Sequence, residues 1–400
     1  MSDLNLESVR DKDVPYYRDL SSFTTTDLSK ELLDYMFEFA PMNIAISLKA
    51  NPSIKKMHDY CVDFIAKLWN APESCLGIAT VGSSEACIMA AASMLSCWKK
   101  SFKGVKNESR KPNLILSSAY QICWKKFSKY FDVELREIPV TEKKVKMQVD
   151  KLDALIDEYT IGVIGMFGNT QAGLYDDIEA INDIIEENNN RFGRNIKIHV
   201  DAASGGFFAP FIQPDKIFDF RLKNIASINA SGHKYGLTPP SIGWLIFKNK
   251  DLINTSFCNT IDYLGGGVHE DIGINFSKSA MPLAAQYYLF NHLGFSGYKE
   301  IISKTDGVAQ YIADEINKIP QIELVTKGNI STVIYTSSKD SDLDLRLLEK
   351  ELRETYRWHI PTYELPDINT LVHRIVVRTD LKIEKAKELI TDIKNILQKI

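Results

Sequence analysis

The stretch IKIHVDAASGG, residues 196–206, runs from apolar residues into an aspartate and then into a series of small residues. Its Ile and Val residues predict a buried strand that ends at Asp201. A second apolar run, IASINA at 225–230, leads into the polar turn SGHKYG at 231–236, which contains Lys234. Functional sites on open α/β sheets form at the carboxyl ends of parallel strands. We therefore expect Asp201 and Lys234 to belong to one site.

Short apolar runs alternate with helical stretches around these two segments. Strands rich in Ile and Val that are separated by helices are typical of a mostly parallel sheet covered on both faces. The sequence therefore predicts an α/β fold. The expected strands are 113–117, 134–139, 161–167, 196–201, 225–230 and 241–247. The expected helices are 52–70, 82–99, 120–130, 149–158 and 178–188.

The chain is expected to divide into three parts. Residues 1–50 are interpreted as an N-terminal arm whose helix is capped by Thr26 or Asp27. Residues 51–290 are expected to form a large domain, and residues 291–400 a smaller C-terminal α+β domain. The elements expected outside the large sheet are helices 26–39, 281–293, 299–318, 342–355 and 383–398 and strands 323–326, 331–336 and 370–378.

Composition and charge narrow the class of protein. The chain has 400 residues, 44% of them hydrophobic and 25% charged, which is ordinary for a globular protein. A net charge of −4 gives no sign of binding to nucleic acid or to a membrane surface. The longest apolar stretch, 87–98, is far shorter than a membrane span. The N-terminus lacks a basic segment followed by an apolar one, so we expect no signal peptide and a cytoplasmic protein.

The spacing of the cysteines and histidines also favours a cytosolic protein. The six cysteines are scattered without a CxxC pair, and the seven histidines show no paired-ligand spacing. In a chain of this length, scattered cysteines are typical of reduced, mostly buried thiols in a cytosolic protein. No metal site is expected from these patterns.

Lys234 and Asp201 offer complementary chemistry. A lysine amine forms an imine with an aldehyde, and an aspartate holds a pyridine nitrogen in its protonated form; pyridoxal 5'-phosphate (PLP) requires both contacts. For this role the lysine must be partly desolvated, which lowers its pKa. Each residue also has a structural interpretation, Lys234 as a surface lysine and Asp201 as the cap of the turn that follows it.

Further polar residues suit the same cofactor. Ser83 and Ser84 follow Gly82 at the start of an apolar helix. Hydroxyls and backbone N–H groups at a helix N-terminus favour a phosphate, although the same residues also suit a plain helix cap. His233 is expected to contact the phosphate or imine region of the cofactor. His199 is expected to be a core histidine whose hydrogen bonds are satisfied.

Several segments in this order resemble one family of enzymes. From about residue 52 to 378 the chain resembles the group II PLP-dependent decarboxylases, and most of all the glutamate decarboxylases. The resemblance implies PLP fold type I, like that of aspartate aminotransferase, and decarboxylation of an L-amino acid to the amine and carbon dioxide. The segments that carry it are TVGSSEAC (80–87), QICWKKF (121–127), DVELREIP (132–139), HVDAASGGF (199–207), DFRL (219–222), SGHKYG (231–236), DYLGG (262–266) and NFS (275–277).

By position, the resemblance implies a role for each site residue. Lys234 carries the cofactor and handles the proton at the substrate α-carbon, with Tyr263 as a second candidate for that proton, while Asp201 pairs with the ring nitrogen. Arg374 matches an arginine that clamps a substrate carboxylate, and its guanidinium fork suits that task. The shared sites imply a homodimer. The other cofactor contacts implied are Ser83, Ser84, Gln121, Thr170, Ala203, Ser231, His233 and, from the neighbouring subunit, Ser277.

The pocket for the substrate side chain departs from the family pattern. The resemblance places a threonine, an asparagine and an aspartate there, and in this chain these positions fall at Ser22, near Ile44 and near Ser47. Glutamate is the substrate that the resemblance favours most. Aspartate and cysteine sulfinate are alternative substrates for an active site of the same kind. The chain also has a short arm and ends at Ile400 without the histidine-bearing tail of the bacterial hexameric enzymes, so we expect a dimer.

Other functions stay open at this point. PLP-dependent carbon–carbon lyases, such as the sphingosine-phosphate lyases, and aminotransferases share the implied fold, and analysis of the products distinguishes them from a decarboxylase. A catalytically inactive protein that binds PLP or a partner is a second alternative, because a fold alone is no proof of function. A nicotinamide-dependent enzyme requires a glycine-rich GxGxxG turn, which the sequence lacks.

Overall fold

The computed structural model of the chain describes residues 13–44, 51–102, 109–141, 145–261 and 269–399. Within these residues the strands form a seven-stranded sheet, a four-stranded sheet and a two-stranded ribbon. The strands of the large sheet are β1 (Leu76–Thr80), β2 (Asn113–Ser117), β3 (Glu134–Ile138), β4 (Thr160–Met166), β5 (Ile198–Asp201), β6 (Ile225–Ser231) and β7 (Gly243–Phe247).

The large sheet is mostly parallel, as the sequence predicts. Its order is β1-β7-β6-β5-β4-β2-β3, and the five strands from β6 to β3 run parallel to their neighbours. At the other edge β7 runs antiparallel to both of its neighbours, β6 and β1. Strand β1 was not expected from the sequence, and its position matters because it leads into the helix that begins at Ser83.

Nine α-helices accompany these strands within the described residues. They are α1 (Lys30–Phe37), α2 (Pro52–Leu68), α3 (Ser83–Ser101), α4 (Ile122–Phe131), α5 (Ile178–Phe192), α6 (Ala209–Ile212), α7 (Met281–Ile316), α8 (Leu345–Tyr356) and α9 (Ile383–Leu397). Helices α3 and α4 pack on one face of the sheet, against Leu116 and Ile164. Helices α2, α5 and α7 pack on the other face, against Ile115 and Val163. Both faces are therefore covered, which explains why the central strands are apolar throughout.

The four-stranded sheet belongs to the C-terminal part of the chain. Its strands are β10 (Ile322–Lys327), β11 (Thr332–Ser337), β12 (Thr362–Glu364) and β13 (Leu371–Val376). They are antiparallel in the order β10-β11-β13-β12. They form a second core with the end of α7 and with α8 and α9. The two-stranded ribbon pairs β8 (Cys258–Ile261) with β9 (His269–Ile272).

Helix α7 joins the two halves of the structure. The sequence predicts separate helices at 281–293 and 299–318, whereas the structure has one element interrupted at Gly294. Gly294 has a φ of 55°, a conformation that glycine adopts without the cost that a side chain adds. The expected boundary between the large and small domains, at residue 290, falls within this helix shortly before the interruption.

Two expected helices were wrong in extent or type. Helix α1 begins at Lys30 rather than at 26, and its cap is Ser29, whose hydroxyl accepts the Leu32 N–H, rather than Thr26 or Asp27. Thr26 instead hydrogen-bonds to Asp380, which keeps the preceding residues extended. The segment expected to be helical over 149–158 forms two 3₁₀ turns and no α-helix.

No helix in the described parts of the chain is both long enough and apolar enough to cross a membrane.

Candidate active site

A cleft lies at the carboxyl ends of the parallel strands. Most of the residues expected to contact the cofactor line it. These are Ser83, Ser84, Gln121, Thr170, Asp201, Ala203, Ser231, His233 and Lys234. The fold therefore brings together side chains that come from five separate segments of the sequence.

The start of α3 and the end of β6 meet at one end of the cleft. Gly243 pairs with Thr80 on one side and with Ser231 on the other. A Cβ atom at Gly243 would lie 2.5 Å from the backbone carbon of Gly82, so only glycine permits this approach. As a result Ser83 Oγ and Ser231 Oγ lie 2.6 Å apart. Two hydroxyls and a helix N-terminus thus face the same place, which suits a phosphate.

His233 lies beside this hydroxyl pair. Its Nδ1 atom is buried without a hydrogen-bond partner among the described residues. Burial, together with the positive charge of Lys234, lowers the pKa of His233 to about 4. The imidazole is therefore neutral near pH 7, and a buried polar atom without a partner indicates a missing ligand group.

Lys234 lies in the middle of the cleft. Its Nζ donates a hydrogen bond to Ser204 Oγ at 3.1 Å. Burial lowers the pKa of Lys234, and a lower pKa increases the fraction of neutral amine that can act as a nucleophile. The interpretation of Lys234 as an ordinary surface lysine does not fit this environment.

Asp201 is buried at the end of β5 and is held by several donors. Trp124 Nε1 donates to Asp201 Oδ2 at 3.0 Å. Asn229 Nδ2 and the Ala203 N–H donate to Oδ1 at 3.4 and 3.3 Å. The carboxylate therefore keeps one orientation with its charge inside the protein, where it suits a cationic ring nitrogen.

His199 is a core histidine, as expected. It is fully buried, and its ring nitrogens hydrogen-bond to Ser227 Oγ at 2.8 Å and to Asn229 Oδ1 at 2.9 Å. Burial lowers the pKa of His199 to about 4, so the ring is neutral near pH 7. Its contact with Asn229 orients an amide that in turn donates to Asp201.

Arg374 approaches the cleft from β13. Its guanidinium donates to the backbone oxygens of Thr170 and Ser21, the latter at 2.7 Å. Its Nε atom is buried without a partner among the described residues. Burial lowers the pKa of Arg374, but a guanidinium keeps its charge. A charged group with an unpaired donor suits an anionic ligand.

The segment before α1 closes this side of the cleft. The Phe23 ring centroid lies 5.3 Å from Lys234 Nζ and 5.3 Å from Arg374 Cζ. The Thr25 N–H donates to His233 O at 2.7 Å, and its hydroxyl donates to Lys234 O at 2.6 Å. The extended segment therefore binds directly to the loop that carries the lysine.

Three of the expected residues that the structure describes, Ser22, Ser277 and Arg374, are not among the residues that line the cleft. Ser22 lies next to Phe23, and its hydroxyl donates to Thr24 Oγ1 at 3.0 Å. Ser277 is exposed on the surface. Tyr263 and Ser47 lie outside the described residues, so their expected roles stay predictions. Ile44 is described, and its N–H donates to Lys278 O at 2.8 Å.

Sequence reasoning missed several residues of the site. Cys87, Cys123 and Trp124 approach Asp201 from α3 and α4, and they lie in the quoted segments TVGSSEAC and QICWKKF. Helical spacing was a signal for Cys87, four residues after Ser83, and for Trp124, three residues after Gln121, but not for Cys123. Phe23 and Ser204 carried no comparable signal, because their contacts join distant parts of the chain.

The site fits PLP in its donor groups and charges. The hydroxyl pair and the unpartnered His233 nitrogen suit the phosphate, Lys234 suits the aldehyde, and Asp201 suits the ring nitrogen. No other expected cofactor contact conflicts with this arrangement within the described residues.

Comparison with known proteins agrees with this geometry. Residues 21–337 match the model of the pyridoxal-dependent decarboxylase conserved domain. The chain is 39% identical to glutamate decarboxylase beta of Listeria monocytogenes over 391 residues, covering 96% of this chain and 84% of that protein. It is also 39% identical to a glutamate decarboxylase of Lactococcus lactis, covering 95% of this chain and 83% of that protein.

Solved structures give the same result for the fold. The glutamate decarboxylase of Lactobacillus brevis superimposes with a TM-score of 0.93 at 37% identity, covering 98% of this chain and 91% of that one. A sphingosine-1-phosphate lyase of Burkholderia pseudomallei superimposes with a TM-score of 0.83 at 20% identity, covering 98% and 88% of the two chains. At that identity the second likeness concerns the fold alone.

Proposed function

The chain belongs to the pyridoxal-dependent decarboxylase family, and we propose that it converts L-glutamate to 4-aminobutyrate and carbon dioxide. The family match makes it a PLP-dependent amino-acid decarboxylase. Glutamate follows from the relatives of about 39% identity, which are named glutamate decarboxylases and are matched over most of their length. The observation that carries the proposal is the coincidence of that match with Lys234 and Asp201 in one cleft.

The cofactor and the protein side chains have different roles in the proposed reaction. When bound, PLP supplies an aldehyde for a lysine amine and a ring that accepts the electrons of the bond being broken. Asp201 keeps the ring nitrogen protonated, because its buried charge favours a cation. Ser83 and Ser231 bind the phosphate with their hydroxyls, and the neutral His233 offers its free nitrogen to the same group.

Lys234 has a second role after the substrate binds. Lys234 would hold the cofactor aldehyde, and its Nζ, which lies beside Ser204, would be placed to exchange a proton with the substrate. Burial lowers the pKa of Lys234, which makes its charged form a stronger acid and suits proton transfer to the substrate. We assign to it the return of a proton to the substrate α-carbon, with Tyr263 as the second candidate.

Arg374 and Phe23 hold and shield the substrate. The unpaired Nε of Arg374 is the donor left for a carboxylate, while the other guanidinium nitrogens donate to Thr170 O and Ser21 O. The Phe23 ring covers both Arg374 and Lys234. An aromatic ring in this place excludes water from two cations, which strengthens their interaction with a carboxylate.

The rest of the assignment concerns the assembly and the location. We propose a cytoplasmic homodimer in which Ser277 of one subunit serves the phosphate of the other. Its exposed position at the surface is compatible with this. Scattered cysteines suit a reducing compartment. We also retain as a proposal the division into an arm (1–50), a large domain (51–290) and a small domain (291–400).

A substrate panel tests the proposed function. Purified protein loaded with PLP is supplied with glutamate, aspartate, cysteine sulfinate and the remaining amino acids, and both carbon dioxide and amine are measured. Release from glutamate in equal amounts of the two products is the expected result. Turnover of aspartate or cysteine sulfinate alone would show that residues around Ser22 have changed the pocket. An aldehyde or oxo-acid product would show a lyase or an aminotransferase.

A second experiment tests the assignment of the lysine. The Lys234→Ala variant is expected to lose the visible absorbance of the lysine-bound cofactor and all measurable release of carbon dioxide. The matched control is Lys248→Ala, a partly buried lysine that donates to the backbone oxygens of Leu222 and Lys223, outside the cleft. Full turnover by the Lys234→Ala protein would contradict the assignment.

A further inference from the structure

Two cysteines and an aspartate meet at the floor of the cleft. The ligand atoms of Cys87, Cys123 and Asp201 all lie within 4.8 Å of one another. Cys87 Sγ lies 3.6 Å from Asp201 Oδ2. All three residues are buried and all three line the cleft. In the described ranges of the chain they are the one group of three His, Cys, Asp or Glu residues gathered closely enough to hold a metal ion.

The three side chains are held by rigid elements. Cys87 lies in the first turns of α3, Cys123 in the first turn of α4, and Asp201 at the end of β5. A tetrahedral zinc site with metal–sulfur bonds of about 2.3 Å has its sulfur atoms roughly 3.8 Å apart. The observed cluster is close to that size, so small rotations of the side chains complete it.

The ligand types select one class of metal. Thiolates favour soft or borderline cations such as Zn²⁺ and Cd²⁺ over hard cations such as Mg²⁺ and Ca²⁺. Two thiolates and one carboxylate carry three negative charges and leave a fourth position that faces the cleft, where water can bind. Binding requires each thiol to lose a proton, so one metal ion releases two protons to the solvent.

The mechanism does not use these thiols. Burial raises the pKa of the Cys87 thiol well above its usual value, and the thiol is therefore protonated near neutral pH. A buried, protonated cysteine ordinarily acts as a small apolar side chain that packs against its neighbours. Two of them beside one carboxylate form a set that packing alone does not require.

From this cluster we propose that the protein without its cofactor binds one thiophilic divalent cation, such as Zn²⁺ or Cd²⁺, through Cys87, Cys123 and Asp201. The cation and PLP then exclude each other, because both need the carboxylate of Asp201. This second step rests on the proposed function, whereas binding of the cation does not. The site gives the protein a metal-sensitive state in which cofactor loading is blocked.

Cadmium is the probe that tests the proposal. Full-length protein is freed of PLP, and Cd²⁺ is added while the sulfur-to-cadmium charge-transfer band is followed in the ultraviolet. We expect one Cd²⁺ per chain, a band of the strength of two thiolates, and release of two protons in weak buffer. An excess of Mg²⁺ should leave the band unchanged. Prior loading with PLP should abolish it.

Three variants separate this site from other thiols. Cys87→Ser and Cys123→Ser are each expected to lose the band, and the circular dichroism of each variant shows whether its fold is intact. Cys258→Ser is the matched control, since Cys258 is exposed on the surface and far in sequence from the cluster. Its band should equal that of the unchanged protein.

The possible results have distinct meanings. A band that persists in both folded serine variants, or that is unaffected by PLP loading, overturns the proposal. Normal decarboxylation by the loaded enzyme together with absence of the band overturns the metal site and leaves the proposed function standing. A band that depends on both cysteines in a protein that decarboxylates no amino acid leaves the metal site standing and removes the proposed function.

Discussion

Trp124 donates its indole N–H to the carboxylate of Asp201 at 3.0 Å, and both side chains are buried. An indole N–H only donates, so this bond is available in every protonation state of the site. Trp124 also lies 5.7 Å, between ring centroids, from His199. The bond therefore orients Asp201 from the side of α4. We infer that Trp124 is a positioning residue for the aspartate.

Removal of this donor is expected to slow the reaction. In Trp124→Phe the ring remains but Asp201 loses a hydrogen bond to its charged form, which is worth about 1.5–3 kcal/mol. If the interaction of Asp201 with the ring nitrogen weakens by the same amount, kcat falls by roughly 10- to 100-fold. KM for the amino acid should change little. Steady-state kinetics with saturating PLP measure both.

Trp98→Phe is the control for this prediction. Trp98 donates its indole N–H to Glu158 O at 3.0 Å, in a partly exposed place outside the cleft. The substitution removes the same indole N–H, here from a bond to a backbone carbonyl rather than to a carboxylate. An equal loss of kcat in both variants would mean that the effect is a general one on the fold rather than one on Asp201.

The relation between Asp201 and Lys234 was predictable from the sequence because it depends on topology. Both residues follow apolar strands, and the carboxyl ends of neighbouring parallel strands meet at one edge of a sheet. Ser83 was assigned from its place at the start of a helix, and Ser231 from the resemblance to the decarboxylases. Their actual contact also depends on β1, which the sequence did not reveal because Leu76–Thr80 is short and partly exposed.

The covering segment before α1 was not predictable. Its extended shape comes from bonds to distant loops, such as those of Thr25 to the backbone of His233 and Lys234. Local propensity favours a helix that begins near Thr26, and the tertiary bond from Thr26 to Asp380 outweighs it. The contact of Phe23 with two cations follows from this shape and has no local signal in the sequence.

Arg374→Lys is expected to weaken substrate binding. A lysine keeps the charge but cannot form the two parallel bonds of a guanidinium fork. The loss of one bond to a charged group, about 1.5–3 kcal/mol, lowers kcat/KM by roughly 10- to 100-fold. Arg353→Lys, on the exposed side of α8, is the matched control. Unchanged kcat/KM in Arg374→Lys would remove the arginine from the substrate site.

Glu85 links the phosphate end of the cleft to the segment that leads to Ser277. Its carboxylate accepts the Val81 N–H at 2.7 Å, the Ile274 N–H at 2.9 Å and the Asn275 N–H at 3.2 Å. Three backbone groups from two segments thus share one side chain. The position of the helix start therefore depends on Glu85.

Glu85→Ala is expected to weaken PLP binding. It removes the acceptor of three backbone N–H groups, each bond being worth about 0.5–1.5 kcal/mol, so Kd for PLP rises by roughly tenfold or more. Glu85→Gln keeps one acceptor oxygen and should restore part of the affinity. Titration of the cofactor-free protein, followed by absorbance, measures Kd. A Kd in Glu85→Ala equal to that of the unchanged protein would show that the carboxylate does not position the site.

His373 lies in the core of the small sheet, next to the strand position of Arg374. It is fully buried, and its ring nitrogens hydrogen-bond to the Tyr335 hydroxyl at 2.9 Å and to Leu345 O at 2.8 Å. A carbonyl oxygen only accepts, so Nε2 carries the proton and Nδ1 accepts from the tyrosine. Both bonds are made by the neutral ring, which leaves no place for a second proton.

Acid should therefore destabilise the protein through His373. Burial lowers its pKa to about 4 from an ordinary value of 6.5, so the stability that the neutral ring provides is complete above pH 6.5 and is lost as the pH falls toward 4. The free energy of unfolding by urea, measured at constant protein concentration, should fall between pH 7 and pH ~4.5, with up to about 3 kcal/mol of the fall due to this histidine. His373→Gln should lower the free energy of unfolding at both pH values, and the difference between the two values should become smaller. His292→Gln, at an exposed position, should leave it unchanged, and an unchanged difference in His373→Gln would contradict the assignment of a neutral ring.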